Sequence, residues 1–242
     1  CLNTDYGIEA TTLSSLSLGA DMDASVYRAQ ALDGTSYFVK LKRGHFHSVG
    51  ITFLSLLQMA GLQHIIPPVK TIHGKPILHI KDYTLIVYPF IEGRNAFSHT
   101  MTNDQWITLG KVLRQIHEFA LPQSVHDKIS REMYSPKWRK AVRTMYSHFR
   151  TKHYSDEIAL KLVAFMKEHD AEIYRLMDRA ERLSEVLCHQ THKLVLCHSD
   201  IHGGNVLIDK SGVIYIVDWD EPIMAPKERD LMFIGGGVAN VW

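Results

Sequence analysis

The chain has 242 residues, with 27 Lys and Arg against 26 Asp and Glu, a formal net charge of +1. Its 45% hydrophobic and 22% charged residues are those of an ordinary globular protein, long enough for one large domain or two lobes. So balanced a charge excludes a general electrostatic pull toward nucleic acid or an anionic membrane. The three cysteines, Cys1, Cys188 and Cys197, follow neither CxxC nor a metal-ligand spacing, and are expected as reduced thiols of a cytoplasmic protein. No apolar run approaches the ~18 residues of a membrane helix. No charged-then-apolar leader opens the chain. The sequence starts at Cys1 and stops at Trp242 within the apolar, glycine-rich run 233–242, which points to a fragment shortened mainly at its C-terminus.

In the first hundred residues the pattern is strands with one helix. SYFVKLK (36–42) alternates, and YTLIVYPFI (83–91) is an apolar run of strand length. Between them, residues 51–60 are apolar without alternation and Gly61 follows, which predicts a buried helix with a glycine stop.

From residue 100 the period becomes helical. Thr102-Asn-Asp-Gln105 is a capping box, and Trp106, Leu109, Leu113, Ile116 and Ala120 follow at helical spacing. Ser135-Pro136 predicts a second helix with serine at the cap and a stripe of Trp138, Val142, Met145 and Phe149. Residues 155–187 predict either one long helix or two, broken near Asp170. All these stripes are expected to pack in the core. VLI (206–208) and VIYIV (213–217) flank the turn residues 209–212 and predict a β-hairpin. Strands followed by helices indicate an α+β protein with a cleft between two lobes.

The chemistry concentrates in HSDIHGGN (198–205), the hairpin, and Asp218-Trp-Asp220. Asn205 stands just before the first hairpin strand and Asp218 just after the second. In an antiparallel pair those two positions are neighbours, so two oxygen-bearing side chains meet, a set suited to a hard divalent cation such as Mg2+. Asp200 is left for a different task, across a loop made pliable by Gly203 and Gly204. These are the parts phosphoryl transfer requires: cations on the phosphates and an aspartate on the acceptor hydroxyl.

HSDIHGGN resembles the H-x-D-x-x-x-x-N catalytic loop of protein-kinase-like enzymes. Together with IVDWD, YPFIEG, LCHSDIHGGNVL and GKVLRQIHE it resembles the aminoglycoside phosphotransferase family, over roughly residues 18–242. The resemblance implies a two-lobed kinase-like fold, with residues 1–91 as the nucleotide lobe and 92–242 as the catalytic and acceptor lobe. It implies ATP and Mg2+, with Asp200 as catalytic base and Asn205 and Asp218 as metal ligands. Lys40 matches the strand lysine that reaches the α- and β-phosphates, with Lys42 second. Residues 19–26 match the phosphate loop, with Ser25 on phosphate. Tyr88, Phe90 and Ile91 fall in the hinge that offers backbone groups to adenine. His198 is expected to brace the loop, and Asp230 to tie it down.

One feature departs from the family. Kinase-like enzymes place a glutamate on the helix after the lysine strand, paired with that lysine. Residues 44–58 contain no acidic residue, and Ser48 falls at the expected place.

The implied acceptor is a small cationic aminocyclitol, spectinomycin being the leading candidate, which would make the protein an antibiotic-resistance enzyme. Asp220 and Glu221, beside Asp218, are expected to meet its ammonium groups, with Glu228 nearby. Two alternatives are a metabolic kinase acting on choline or a sugar amine, and a nucleotide-binding relative without activity.

Overall fold

Alternating β-branched and aromatic residues fold the first part of the chain into an antiparallel sheet. The computed structural model describes residues 1–17, 21–44 and 49–234. A short helix α1 (Leu2–Tyr6) precedes β1 (Ala10–Ser15), β2 (Ala24–Ala31) and β3 (Ser36–Arg43). Helix α2 (Val49–Met59) leads to β4 (Leu78–Ile80) and β5 (Tyr83–Pro89). These strands form one sheet in the order β1-β2-β3-β5-β4.

Period-two alternation gives the sheet two different faces. Ala29, Val39, Leu85 and Val87 pack with Tyr6 and Ile8 on one side. On the other, Ile86 meets Ile51, Phe53, Leu54 and Leu57 of α2. Lys40 pairs with Val26 and Ile86 in register and shares that second face. As expected, Gly61 closes the α2 region. It sits at φ 86°, and its N–H donates to the Gln58 carbonyl at 2.9 Å.

Beyond β6 (Gly93–Asn95), helix α3 (Asn103–Glu118) begins at the capping box. The Thr102 N–H donates to Gln105 Oε1 at 2.9 Å and the Gln105 N–H to Thr102 Oγ1 at 3.3 Å. Leu109, Val112, Leu113 and Ile116 form the buried stripe of α3. Then come α4 (Gln123–His126) and the two-residue β7 (Ser130–Arg131).

Contacts divide the chain into two units: Cys1–Ser130 with Leu194–Trp242, and Arg131–Lys193. The second is helical, with α5 (Lys137–Thr151), α6 (Glu157–Glu168) and α7 (Asp170–Cys188). The 155–187 stretch is thus two helices, parted at His169. Helix α5 starts one residue later than the Ser-Pro signal suggests. Pro136 takes the cap position, and Ser135 Oγ accepts the Lys137 N–H at 3.3 Å.

The expectation that every apolar stripe packs in the core fails here. Trp138 is 73% exposed and Ile158 78%. The buried apolar positions among its described residues are Tyr146, Met166 and Met177, with the Tyr146 hydroxyl donating to the Met166 carbonyl at 3.3 Å. An amphipathic stripe states which face is apolar; burial also requires a second surface, and the described residues of this unit cover only part of it.

The chain returns to the first unit as β8 (Val195–Cys197), β9 (Val206–Asp209), β10 (Ile214–Ile216) and β11 (Ile223–Ala225). β9 lies between β10 and β6, and β8 pairs with β11. Ile201, Val206, Ile208, Ile214, Ile216 and Trp219 join Leu109 and Ile116 of α3 and Phe53 and Leu57 of α2 in one continuous core. That core anchors the hairpin from beneath. Among the described residues, no helix is long and apolar enough to cross a membrane. The terminal run 235–242 lies outside the described residues.

Candidate active site

The hairpin has the expected register. Ile208 faces Ile214 and Val206 faces Ile216, and the Val217 N–H donates to the Asn205 carbonyl at 3.0 Å. Asn205 and Asp218 are thereby brought to the same end of the ladder. The Asp209 carboxylate closes the far end, accepting the N–H groups of Ser211 at 2.8 Å and Val213 at 2.9 Å.

Asn205 Nδ2 donates to the Asp200 carbonyl at 2.9 Å and to Asp200 Oδ2 at 3.2 Å. Both partners are acceptors only, so the amide nitrogen must face them and Oδ1 is the atom left with acceptor capacity. Asp218 follows in the left-handed region at φ 65°, with 46% of its side chain exposed. An amide oxygen and a carboxylate at one end of a hairpin are a donor set that fits Mg2+, which takes a few protein oxygens and completes its octahedron with water and phosphate. The Asp200 side chain is 52% exposed, with His202 Nε2 at 3.5 Å.

The loop that carries Asp200 is braced from below. His198 is buried; its Nδ1 accepts the Asp200 N–H at 3.3 Å, so its Nε2 donates to the Val217 carbonyl at 2.9 Å. Burial holds its pKa below the ordinary histidine value. The ring is a neutral strut between the 198–205 loop and the end of β10, with Trp219 packed edge-on against it at 4.6 Å. Asp230, fully buried on a single-turn 3-10 helix (Lys227–Leu231), accepts the N–H of His198 at 3.2 Å and of Ser199 at 2.7 Å. His117 of α3 reaches the same carboxylate at 2.9 Å. Nothing in the sequence marked His117 except its place in the family-like segment GKVLRQIHE.

Gly203 and Gly204 do something other than lend flexibility. They form a 3-10 turn under the Phe97 ring, where a Cβ on Gly203 would lie 2.6 Å from Phe97 Cδ1. Phe97 in turn stacks on His202, 5.5 Å between centroids and 13° between planes. A side chain at 203 would have to displace the Phe97 ring.

Lys40 is buried on β3, and its Nζ lies 2.8 Å from Asp218 Oδ1 and 2.8 Å from Asp220 Oδ2. Burial works against its charge, but Asp218 and Asp220 outweigh that and raise its pKa above the ordinary lysine value. Lys42, on the same face, lies 3.0 Å from Asp220 Oδ2 and 3.1 Å from Asp21 Oδ2. Burial likewise disfavours the Asp220 carboxylate, and the two lysines overcome this to lower its pKa.

The network corrects one expectation. Asp220 is turned into the site, where both lysines occupy its carboxylate, and is not a free anion awaiting a cationic acceptor. Glu221 is exposed, does not line the cavity, and takes part through its carbonyl, which accepts the Ser199 hydroxyl at 3.0 Å. Ser48 lies outside the described residues, as does the start of the 19–26 loop.

A cavity of about 670 Å3 runs past these groups. Lys40, Asn205 and Asp218 line one part of it; Tyr88, Phe90 and Ile91 line another, beside Val26 and Phe38. Ser25 does not line it. It lies on β2 between Ala24 and Val26, which do, so alternation turns its exposed side chain to the other face of the sheet, the one that carries Ala29. The Arg28 guanidinium stacks over Phe90 at 4.3 Å and pairs with Glu92.

A strand lysine, a loop aspartate and a hairpin-borne Asn/Asp pair thus gather around one end of the β9–β10 hairpin. The chain belongs to the phosphotransferase enzyme family, whose model matches residues 16–233. It is an ATP-dependent, Mg2+-using small-molecule kinase. It is 44% identical, with TM-score 0.92, to a crystal structure of spectinomycin phosphotransferase APH(9)-Ia in complex with ADP and spectinomycin, covering 100% of this chain and 73% of that one. The AMP-bound complex of the same enzyme gives 43% identity and TM-score 0.89, covering 100% and 74%. Amicoumacin kinase hAmiN, in complex with AMP-PNP, Ca2+ and Ami, is 18% identical with TM-score 0.62, covering 95% and 64%, a likeness of fold alone. No curated protein matches the chain.

Proposed function

We propose that this chain moves the γ-phosphoryl group of ATP to a hydroxyl of a cationic aminocyclitol, spectinomycin first among them, and so confers resistance. The observation that carries the reading is the Asn205 amide. Its nitrogen is held by Asp200, which leaves its oxygen as the acceptor in the cavity that Asp218 also lines. Asn205 Oδ1 and Asp218 hold Mg2+, which when bound neutralises phosphate charge. Asp200, half exposed and oriented by Asn205, takes the proton of the acceptor hydroxyl. Lys40 faces the α- and β-phosphates, and the backbone of residues 88–91 meets adenine. Residues 1–91 act as the nucleotide lobe and 92–242 as the catalytic and acceptor lobe. With Asp220 held by lysines, Glu221, with Glu228 nearby in sequence, is the expected carboxylate left to draw in a cationic acceptor. The 44% identity to a spectinomycin phosphotransferase supports this choice of acceptor.

The test is ATP turnover by the purified chain with Mg2+ and spectinomycin, choline or a sugar amine, with the product identified by mass. Phosphorylated spectinomycin is the expected product. Transfer only to choline or a sugar amine makes the protein a metabolic kinase, and nucleotide binding without transfer to any acceptor makes it a non-catalytic relative.

A further inference from the structure

The strand lysine has acidic partners even though the helix that usually supplies one has no acid to give. Residues 44–58 contain no Asp or Glu. Yet Lys40 Nζ is 2.8 Å from Asp220 Oδ2, in a pair whose side chains are 10% and 16% exposed. Its other partner, Asp218, is the proposed metal ligand and therefore has a second demand on its carboxylate. Asp220 carries no proposed metal, and among the described residues its carboxylate is held by Lys40 and Lys42.

The packing of α2 is consistent with this exchange. A Cβ on Gly50, in the first turn of α2, would lie 1.8 Å from the Trp219 carbonyl oxygen. The helix backbone thus rests on the residue immediately before Asp220. The acid arrives on the segment against which the helix is packed, not on the helix itself.

Resting on the proposed role of Lys40 toward phosphate, we infer that Asp220 is the positioning residue for Lys40, doing the work of the missing helix glutamate. The carboxylate belongs to the nucleotide side of the reaction, not to acceptor recognition.

Asp220→Asn separates these roles. ADP binding is measured by calorimetry with and without Mg2+, and steady-state rates are measured with ATP and spectinomycin varied in turn. A positioning role lowers ADP affinity and kcat/KM for ATP by about 10–100-fold, the loss typical when a supporting partner behind a ligating group is removed, with the acceptor KM unchanged. ADP affinity within about twofold of wild type overturns the inference, as does a rise in acceptor KM alone. Should Asp220→Asn fail to fold, Lys40→Gln/Asp220→Asn, which removes both charges of the pair, is compared with Lys40→Gln. Equal ADP affinity and equal acceptor KM support the inference, because Asp220 then acts only through Lys40; a further loss in either overturns it. If the wild-type chain binds ADP but phosphorylates no acceptor, the proposed function falls while the ADP arm still decides the role of Asp220.

Discussion

The Asp230 carboxylate accepts the Ser199 N–H at 2.7 Å while Ser199 stands in the left-handed region at φ 73°. A non-glycine residue there costs about 1–3 kcal/mol and persists only when its surroundings enforce it. Asp230 provides the enforcement, holding the consecutive N–H groups of His198 and Ser199 and anchored in turn by His117. Asp230→Ala strands two backbone donors and relaxes the loop that aims Asp200. We expect a loss of about 3 kcal/mol or more in chemical denaturation, since each buried group left unsatisfied costs ~1–3 kcal/mol. A fall in kcat is expected alongside it.

Asp200→Asn tests the base. The side chain is half exposed and makes few contacts, so the denaturation midpoint should stay close to wild type. The rate should fall by ~10²–10⁴, the usual worth of a positioned base, with ADP affinity unchanged. A rate within a few-fold of wild type removes Asp200 from proton transfer.

The buried His198 predicts a pH dependence of stability. The unfolded side chain takes a proton near its ordinary value of 6.5, whereas the folded one resists it because it is buried. Below that pH the unfolded state binds more protons, so stability falls as pH drops below 6.5, with a slope of up to ~1.4 kcal/mol per pH unit until the folded pKa is reached. Denaturation at a series of pH values should show a smaller slope in His198→Gln than in wild type. An identical slope assigns the effect to other groups.

Gly50→Ala tests the seating of α2 on the Trp219 carbonyl. Alanine is the better helix former, worth up to ~1 kcal/mol over glycine on an exposed helix. Here its methyl would meet the carbonyl oxygen at 1.8 Å, backbone that cannot swing aside. The clash should win, destabilising by about 1–3 kcal/mol as overpacked sites do. Because Trp219 lies between Asp218 and Asp220, ADP affinity should fall as well.

Much of the site could be read along the chain because its parts are local. The hairpin, its Asp-Ser-Gly turn and the Asn205 and Asp218 positions fall within about twenty residues, and strand period and turn chemistry fix such short-range geometry. The capping box before α3 and the glycine stop after α2 are local in the same sense. Ser25 stands one position from Val26, which lines the cavity, and on a strand one position changes the face. The stripe of α5 was read correctly as amphipathic and wrongly as core, because burial is a property of two surfaces.

What the sequence determined by itself was the loop, the hairpin and the residue types offered for phosphoryl transfer, since each depends on backbone preferences over a few residues. Tertiary structure alone decided which charges meet. Lys40 and Asp220 are 180 residues apart, as are Lys42 and Asp220 by 178, and His117 and Asp230 by 113. No local preference encodes such pairings. They arise because the shared core of Phe53, Leu57, Leu109, Ile201, Ile208 and Ile216 brings α2, α3 and the hairpin together, and buried charges in those positions must find partners or remain costly.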